Sequence, residues 1–377
     1  MRNLARGSRP LARQLAILMG LFCSFVLSSC NPIYVIRVGW TEARILRSRV
    51  PLTEAMVDPA VDLPTRAKLK LVLDARAYAV DELRFQNAGD SYTSLARLES
   101  DTLALVLSAA YQDRLALRTW WFPIAGRVPY RAYFSLDGAE RARDELEEEG
   151  FDTYLRPTAA FSTLGWFADP LYSTLLRSDE VALVQTVLHE LGHNHLYIPG
   201  HGRFNESFAT FVGHVAALDF FCRSGSVTVR CQRARDRWAD AQDISRFTDA
   251  LEQRIVDLYN QRGSETADNF MKTRDMVYLA AQADFVDRVR PRLRASTYDY
   301  LANEPLNNAT LLSRSLYFHR LPAFDRLWQS WEGEFPDFLA WLREEAPEFD
   351  DPFEVLEADY VTPFSAWTRG RRPQVQY

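Results

Sequence analysis

His189-Glu190-Leu191-Gly192-His193, directly after the apolar run Val181 to Leu188, constrains this chain more than any other stretch. The run predicts a buried helix, and at about 3.6 residues per turn the two histidines fall on one face, so both imidazoles converge on one point. Glu190 is rotated by about 100° from His189, so its carboxylate can reach a water held there without becoming a ligand. HExxH on a helix is the pattern of a two-histidine metal site with a general base beside it. The plainer alternative, a capped helix with two surface histidines, sits poorly with the mostly apolar residues ahead of the motif.

A catalytic zinc takes three protein ligands and keeps one position open. The arrangement with Gly three and His six residues after the second histidine is not met, because those positions hold Leu196 and Pro199. Instead the chain breaks at Ile198-Pro199-Gly200-His201-Gly202 and restarts as a helix at Asn205-Glu206-Ser207-Phe208-Ala209, which folds the second helix back on the first.

That second segment resembles the NEGFA segment of gluzincin aminopeptidases, in which the Glu is the third zinc ligand. The resemblance implies a Zn2+ site of His189, His193 and Glu206. The 12 residues between His193 and Glu206 are fewer than in the best-known aminopeptidases, so the chain represents a distinct branch. Trp121-Phe122-Pro123-Ile124-Ala125-Gly126 with Val128-Pro129-Tyr130-Arg131, and Phe161-Ser162-Thr163-Leu164-Gly165-Trp166-Phe167, are similar to a zinc aminopeptidase lipoprotein family of proteobacteria. That similarity extends over nearly the whole mature chain and implies a zincin-like metallopeptidase acting on peptides or an envelope protein.

Two departures stand out. No GxMEN-like segment is present, the element gluzincin aminopeptidases use to grip a free amino terminus, and Gly213 stands where they often carry a further carboxylate. By the same resemblance a downstream tyrosine serves the oxyanion. Tyr317, on a helix opening at Asn307, is the first choice and Tyr278 the rival, with ordinary core tyrosines as the alternative. His195, His201 and His214 read as neighbours of the site or surface groups. In such a site zinc brings the pKa of water toward about 7, and Glu190 takes the proton and returns it to the leaving amine. The rival class is a non-catalytic zinc-containing binding or scaffolding lipoprotein. Glu190 argues against it, because a structural zinc usually has four protein ligands and no use for a carboxylate alongside.

Residues 1–29 hold Arg2, Arg6, Arg9 and Arg13, no acid, and an apolar run from Leu15 to Leu27, the layout of a secretory signal peptide. Thirteen residues are too few to span a bilayer core of about 30 Å as a helix. Leu27-Ser28-Ser29-Cys30 resembles a lipobox, so Cys30 is expected to carry lipid and tether the protein to the membrane; Asn31 favours the outer membrane, facing the periplasm. Lys+Arg number 44 against 50 Asp+Glu, and removing the four signal arginines leaves 40 against 50, a net charge of −10. A nucleic-acid partner is therefore not expected. Cys222 and Cys231 are left as a pair suited to a disulfide in an oxidising compartment. A cysteine zinc site is the alternative, disfavoured because no CxxC occurs.

Periodicity gives an α+β class with helices dominant and one mature domain, 30–377, in three parts. Residues 30–100 read as two or three helices, with Ile45/Leu46, Leu69/Leu71/Leu73 and Tyr78 on apolar faces. Residues 101–160 read as a small sheet from Thr102 to Leu107, Thr119 to Ile124, Tyr130 to Phe134 and Thr153 to Leu155, with a helix from Asp137 to Glu149 closed by Gly150. Residues 161–377 read as the helical zinc-site part, with helices over 180–197, 205–221, 240–262, 265–290, 306–320 and 324–345. The sheet is expected beside the HExxH helix, its edge open to an extended substrate. Trp120-Trp121-Phe122 and Phe161 to Phe167 could line the cleft or fill the core.

Overall fold

The computed structural model describes residues 47–98, 104–122, 126–158 and 168–357. The signal segment, Cys30, Ile45/Leu46, residues 123–125 and Phe161 to Phe167 lie outside them.

The first described part mixes strands with the expected helices: β1 (Val50–Pro51), α1 (Leu52–Val57), α2 (Leu63–Ala77), a π-turn at Tyr78–Glu82, and β2 (Ser94–Ala96). Asp62 caps α2 by accepting from the Thr65 amide, and Pro64 sits in its first turn, where a missing N–H costs nothing. Leu69, Val72 and Ala75 are the buried face.

The strands that follow are β3 (Ala104–Tyr111), β4 (Trp120–Phe122), β5 (Gly126–Val128), β6 (Tyr130–Tyr133), β7 (Phe151–Thr158) and β8 (Leu171–Tyr172), with α3 (Leu136–Glu148) between β6 and β7. They form three small sheets where the sequence suggested one: β1-β2-β8, β6-β3-β7, and the β4-β5 pair. β3 and β7 are longer than expected because they pair antiparallel from Ala104↔Thr158 to Tyr111↔Phe151, carrying weak strand formers such as Ala109 and Ala110 along. Pro157 is tolerated because β7 is an edge strand.

Beyond β8 the chain is helical: α4 (Glu180–His195), α5 (Gly202–Cys222), α6 (Val229–Asn260), α7 (Ala267–Asp284), α8 (Asp299–Asn303), α9 (Asn308–Phe318), α10 (Leu321–Gln329) and α11 (Phe335–Glu345). α6 begins well before residue 240, at a Thr228 cap, because its first turns carry charged residues that obscure the apolar period. The expected 324–345 helix is two, broken around Gly333 and restarted with Pro336 in its first turn. α7 ends in a π-turn, Phe285–Val289, rather than running on as regular helix to 290.

The β6-β3-β7 sheet was expected against the HExxH helix. Its two faces instead pack on α3 and α9. Leu107, Ala109 and Leu155 meet Leu146 of α3, whereas Ala110 and Tyr154 meet Ala309 and Leu312 of α9. Strand alternation thus sends Tyr130, Tyr154 and Arg156 to the α9 side. The main core lies elsewhere, among α2, α4, α5, α10 and α11, with Leu188, Leu191, Phe208, Phe211, Phe324 and Phe338 at its centre. Cys222 and Cys231 are disulfide-bonded, which removes them as zinc ligands. Among the described residues no helix is long and apolar enough to cross a membrane.

Candidate metal and catalytic site

Asp179 starts α4 by accepting from the Val181 and Ala182 amides, and the helix runs to His195 with Leu183, Val184, Val187, Leu188 and Leu191 buried. The chain then reverses at Pro199-Gly200, with Gly200 at φ +87°, a conformation that favours glycine. Asn205 staples the reversal: its carboxamide accepts from Ile198 N at 2.9 Å and donates to Ile198 O at 2.8 Å. α5 therefore lies back along α4, and Glu206, next to the staple, meets the histidines.

The crossing is close. A Cβ on Gly213 would stand 2.7 Å from Gln185 O and 3.1 Å from His189 Cβ. The carboxylate that the gluzincin comparison placed here has no room, which gives that departure a physical reason.

His189 Nε2 lies 3.4 Å and His193 Nε2 3.5 Å from Glu206 Oε2, with the imidazoles edge to face at 4.8 Å between centroids. The three ligand atoms fall within 4.8 Å of one another, so the group could hold a metal ion. Two imidazole nitrogens and one carboxylate are a donor set that suits zinc. His193 is buried, and the other two are partly open. Burial alone would raise the Glu206 pKa, but His193 and His189 overcome it and hold the carboxyl far below its usual range. Burial would likewise lower His193, and the Glu206 carboxylate reverses that. The Glu206 carboxylate and the His193 imidazole thus favour each other's charged forms, a pairing that a bound cation would replace. Glu190, one residue after His189, has its pKa raised by burial against the pull of His189 and His193, with the carboxylates of Glu206 and Asp169 adding to the rise.

Of the two candidate tyrosines the structure brings only Tyr317 to this group. Its ring lies 6.2 Å from that of His189, at 26° between planes, and burial with the nearby Glu206 charge pushes its phenol up, keeping it protonated. Tyr278 is buried elsewhere and donates to Asn308 Oδ1 at 2.6 Å. The remaining histidines are outside the ligand group. His195 is buried, with Nδ1 accepting from Gln86 N and Nε2 facing Leu339 O, and burial lowers its pKa to about 4. His214 faces the Gln185 carboxamide at 3.0 Å and is lowered to about 3 by burial, Arg237 and His189.

Sequence reasoning missed three neighbours. Tyr130, at the start of β6, is pushed up to about 12 by burial, with the Glu206 charge adding to the rise. Asp169, buried, acts on both Glu190 and His193. Arg156 donates from Nη2 to the Tyr317 hydroxyl at 3.3 Å. Only Tyr130 lay in a quoted motif; Arg156 is an isolated strand residue that nothing in the sequence ties to a helix 161 positions on.

A family model described as "Putative aminopeptidase" matches residues 33–348. No curated protein and no solved structure gives a significant match.

Proposed function

This chain belongs to the "Putative aminopeptidase" family, and from that premise we propose that it is a zinc-dependent peptide-bond hydrolase, an aminopeptidase by family, tethered to the bacterial envelope. The observation that carries the reading is the convergence of His189, His193 and Glu206 within 4.8 Å, with Glu190 next in sequence and Tyr317 alongside.

His189, His193 and Glu206 would hold the zinc, whose Lewis acidity would acidify a water and polarise a carbonyl. Glu190 takes the proton of the attacking water and passes it to the leaving amine. Tyr317, whose oxygen already accepts from Arg156, is free to donate its own proton toward the scissile carbonyl oxygen as charge develops there. Envelope attachment is supported by the signal-like residues 1–29 ahead of Cys30 and by a disulfide, which suits an oxidising compartment. Cys30 would carry the lipid, and the side facing the periplasm would meet peptide or envelope-protein substrates.

The test is metal analysis of a soluble form lacking residues 1–30, purified beside Glu206→Ala. About one zinc per chain in the first and a strong loss in the second are expected. Failure of the first protein to hold zinc after reconstitution would remove the hydrolytic reading.

A further inference from the structure

Arg156 on β7 is half-buried beside Tyr317, with its guanidinium 5.7 Å from that ring's centroid. Its one hydrogen bond among the described residues is to the Tyr317 hydroxyl, and no carboxylate of those residues pairs with it. Arg314, also half-buried and three residues before Tyr317 on α9, is in the same condition: it donates to the Tyr154 hydroxyl, stacks over Tyr300 at 3.6 Å, and has a buried Nε with no partner. The contrast within the protein is direct, because the buried Arg274 is matched by both oxygens of Asp152. A guanidinium keeps its charge at every accessible pH, and removing it from water without a counter-ion is costly. A planar fork left without a carboxylate beside a reaction site is a receptor for one.

We propose that Arg156 anchors a substrate carboxylate close to the scissile bond, so that the site selects short peptides carrying a free terminal carboxylate or an acidic side chain there. With Tyr317 donating to the scissile carbonyl, the guanidinium, 3.3 Å from the phenol oxygen, falls about 5 Å from that carbonyl, under two residues of extended chain at about 3.5 Å each. The proposal rests on the peptidase reading and narrows its substrate class. Arg314, farther along the same wall, extends the positive field but is held over Tyr300.

The test uses binding without turnover. Zinc-loaded Glu190→Gln protein is titrated calorimetrically with alanyl-alanine, alanyl-alanine amide and alanyl-aspartate amide. The free acid is expected to bind at least tenfold tighter than the alanine amide. Arg156→Met should bring that ratio to about one, and Arg156→Lys should keep part of it. Tight binding of the aspartate amide would assign the anchor to side chains, and weak binding to the chain terminus. Equal affinities in the parent, no binding of any of the three, or a preference that survives Arg156→Met would overturn the proposal. If Arg156 only positioned Tyr317, all three peptides would weaken together and the ratio would not move. Failure of the peptidase reading looks different: the ratio stands, but zinc-loaded protein with native Glu190 cleaves none of the three.

Discussion

The two ends of α9 meet buried polar groups in opposite ways. At the first turn every group is answered. The Asn308 amide donates to Asp152, its carboxamide donates to Tyr111 O and Tyr259 and accepts from Tyr278, and Asp152 is also paired with Arg274. At the last turn Tyr317 takes one long hydrogen bond from Arg156, while His193 Nδ1 nearby is buried without a partner. A complete polar network fixes geometry, and an incomplete one keeps interaction capacity for something else. The first end clamps the helix to β7, and the second presents a phenol to the metal group.

Substitutions at the two ends should therefore separate activity from stability. Glu190→Gln, on the unsatisfied side, is expected to lower kcat by about 10²–10⁴-fold with no fall in the unfolding midpoint, read by steady-state kinetics and thermal melts on the same sample. Asp152→Ala should do the reverse. It strands buried Arg274 and should cost about 3–5 kcal/mol in denaturant titration. If Glu190→Gln proved as destabilising as Asp152→Ala, the distinction between the ends would fail. Tyr317→Phe comes next, with a loss of about 10²–10³-fold in kcat and zinc content unchanged. A parallel loss of zinc would mean that Tyr317 supports the ligand group instead of the reaction.

How much of this was legible beforehand follows from how local each signal is. The meeting of His189, His193 and Glu206 could be anticipated because HExxH places two histidines by helical geometry alone, and the resemblance of Asn205 to Ala209 to NEGFA pointed to Glu206. Dominant helices and the reach of β6 and α3 were equally local. The three-sheet arrangement was not, since β2 and β8 are short strands far apart in sequence whose parallel pairing depends on tertiary packing. The sequence ranked Tyr317 ahead of Tyr278 with no geometric ground, both being helical tyrosines in apolar surroundings. Asn308 takes the Tyr278 hydroxyl for the structural network, whereas Tyr317, at the other end of α9, lies beside His189. Arg156 was invisible for the same reason, because its meaning lies in the carboxylate it does not have.

The smallest expected effect tests whether the clamp at the start of α9 sets the position of Tyr317 at its end. Asn307 caps the helix by accepting from Thr310 N at 2.9 Å and ties it to β7 by donating to Thr153 O at 3.0 Å. Asn307→Ala removes both, and an N-cap loss is worth about 1 kcal/mol. Because Asn308, Asp152 and Arg274 still hold the first turn, kcat should stay within about twofold of the parent well below the melting transition. A larger fall in kcat at that modest cost would show that the cap aims the tyrosine, and the two ends of α9 would then act as one device.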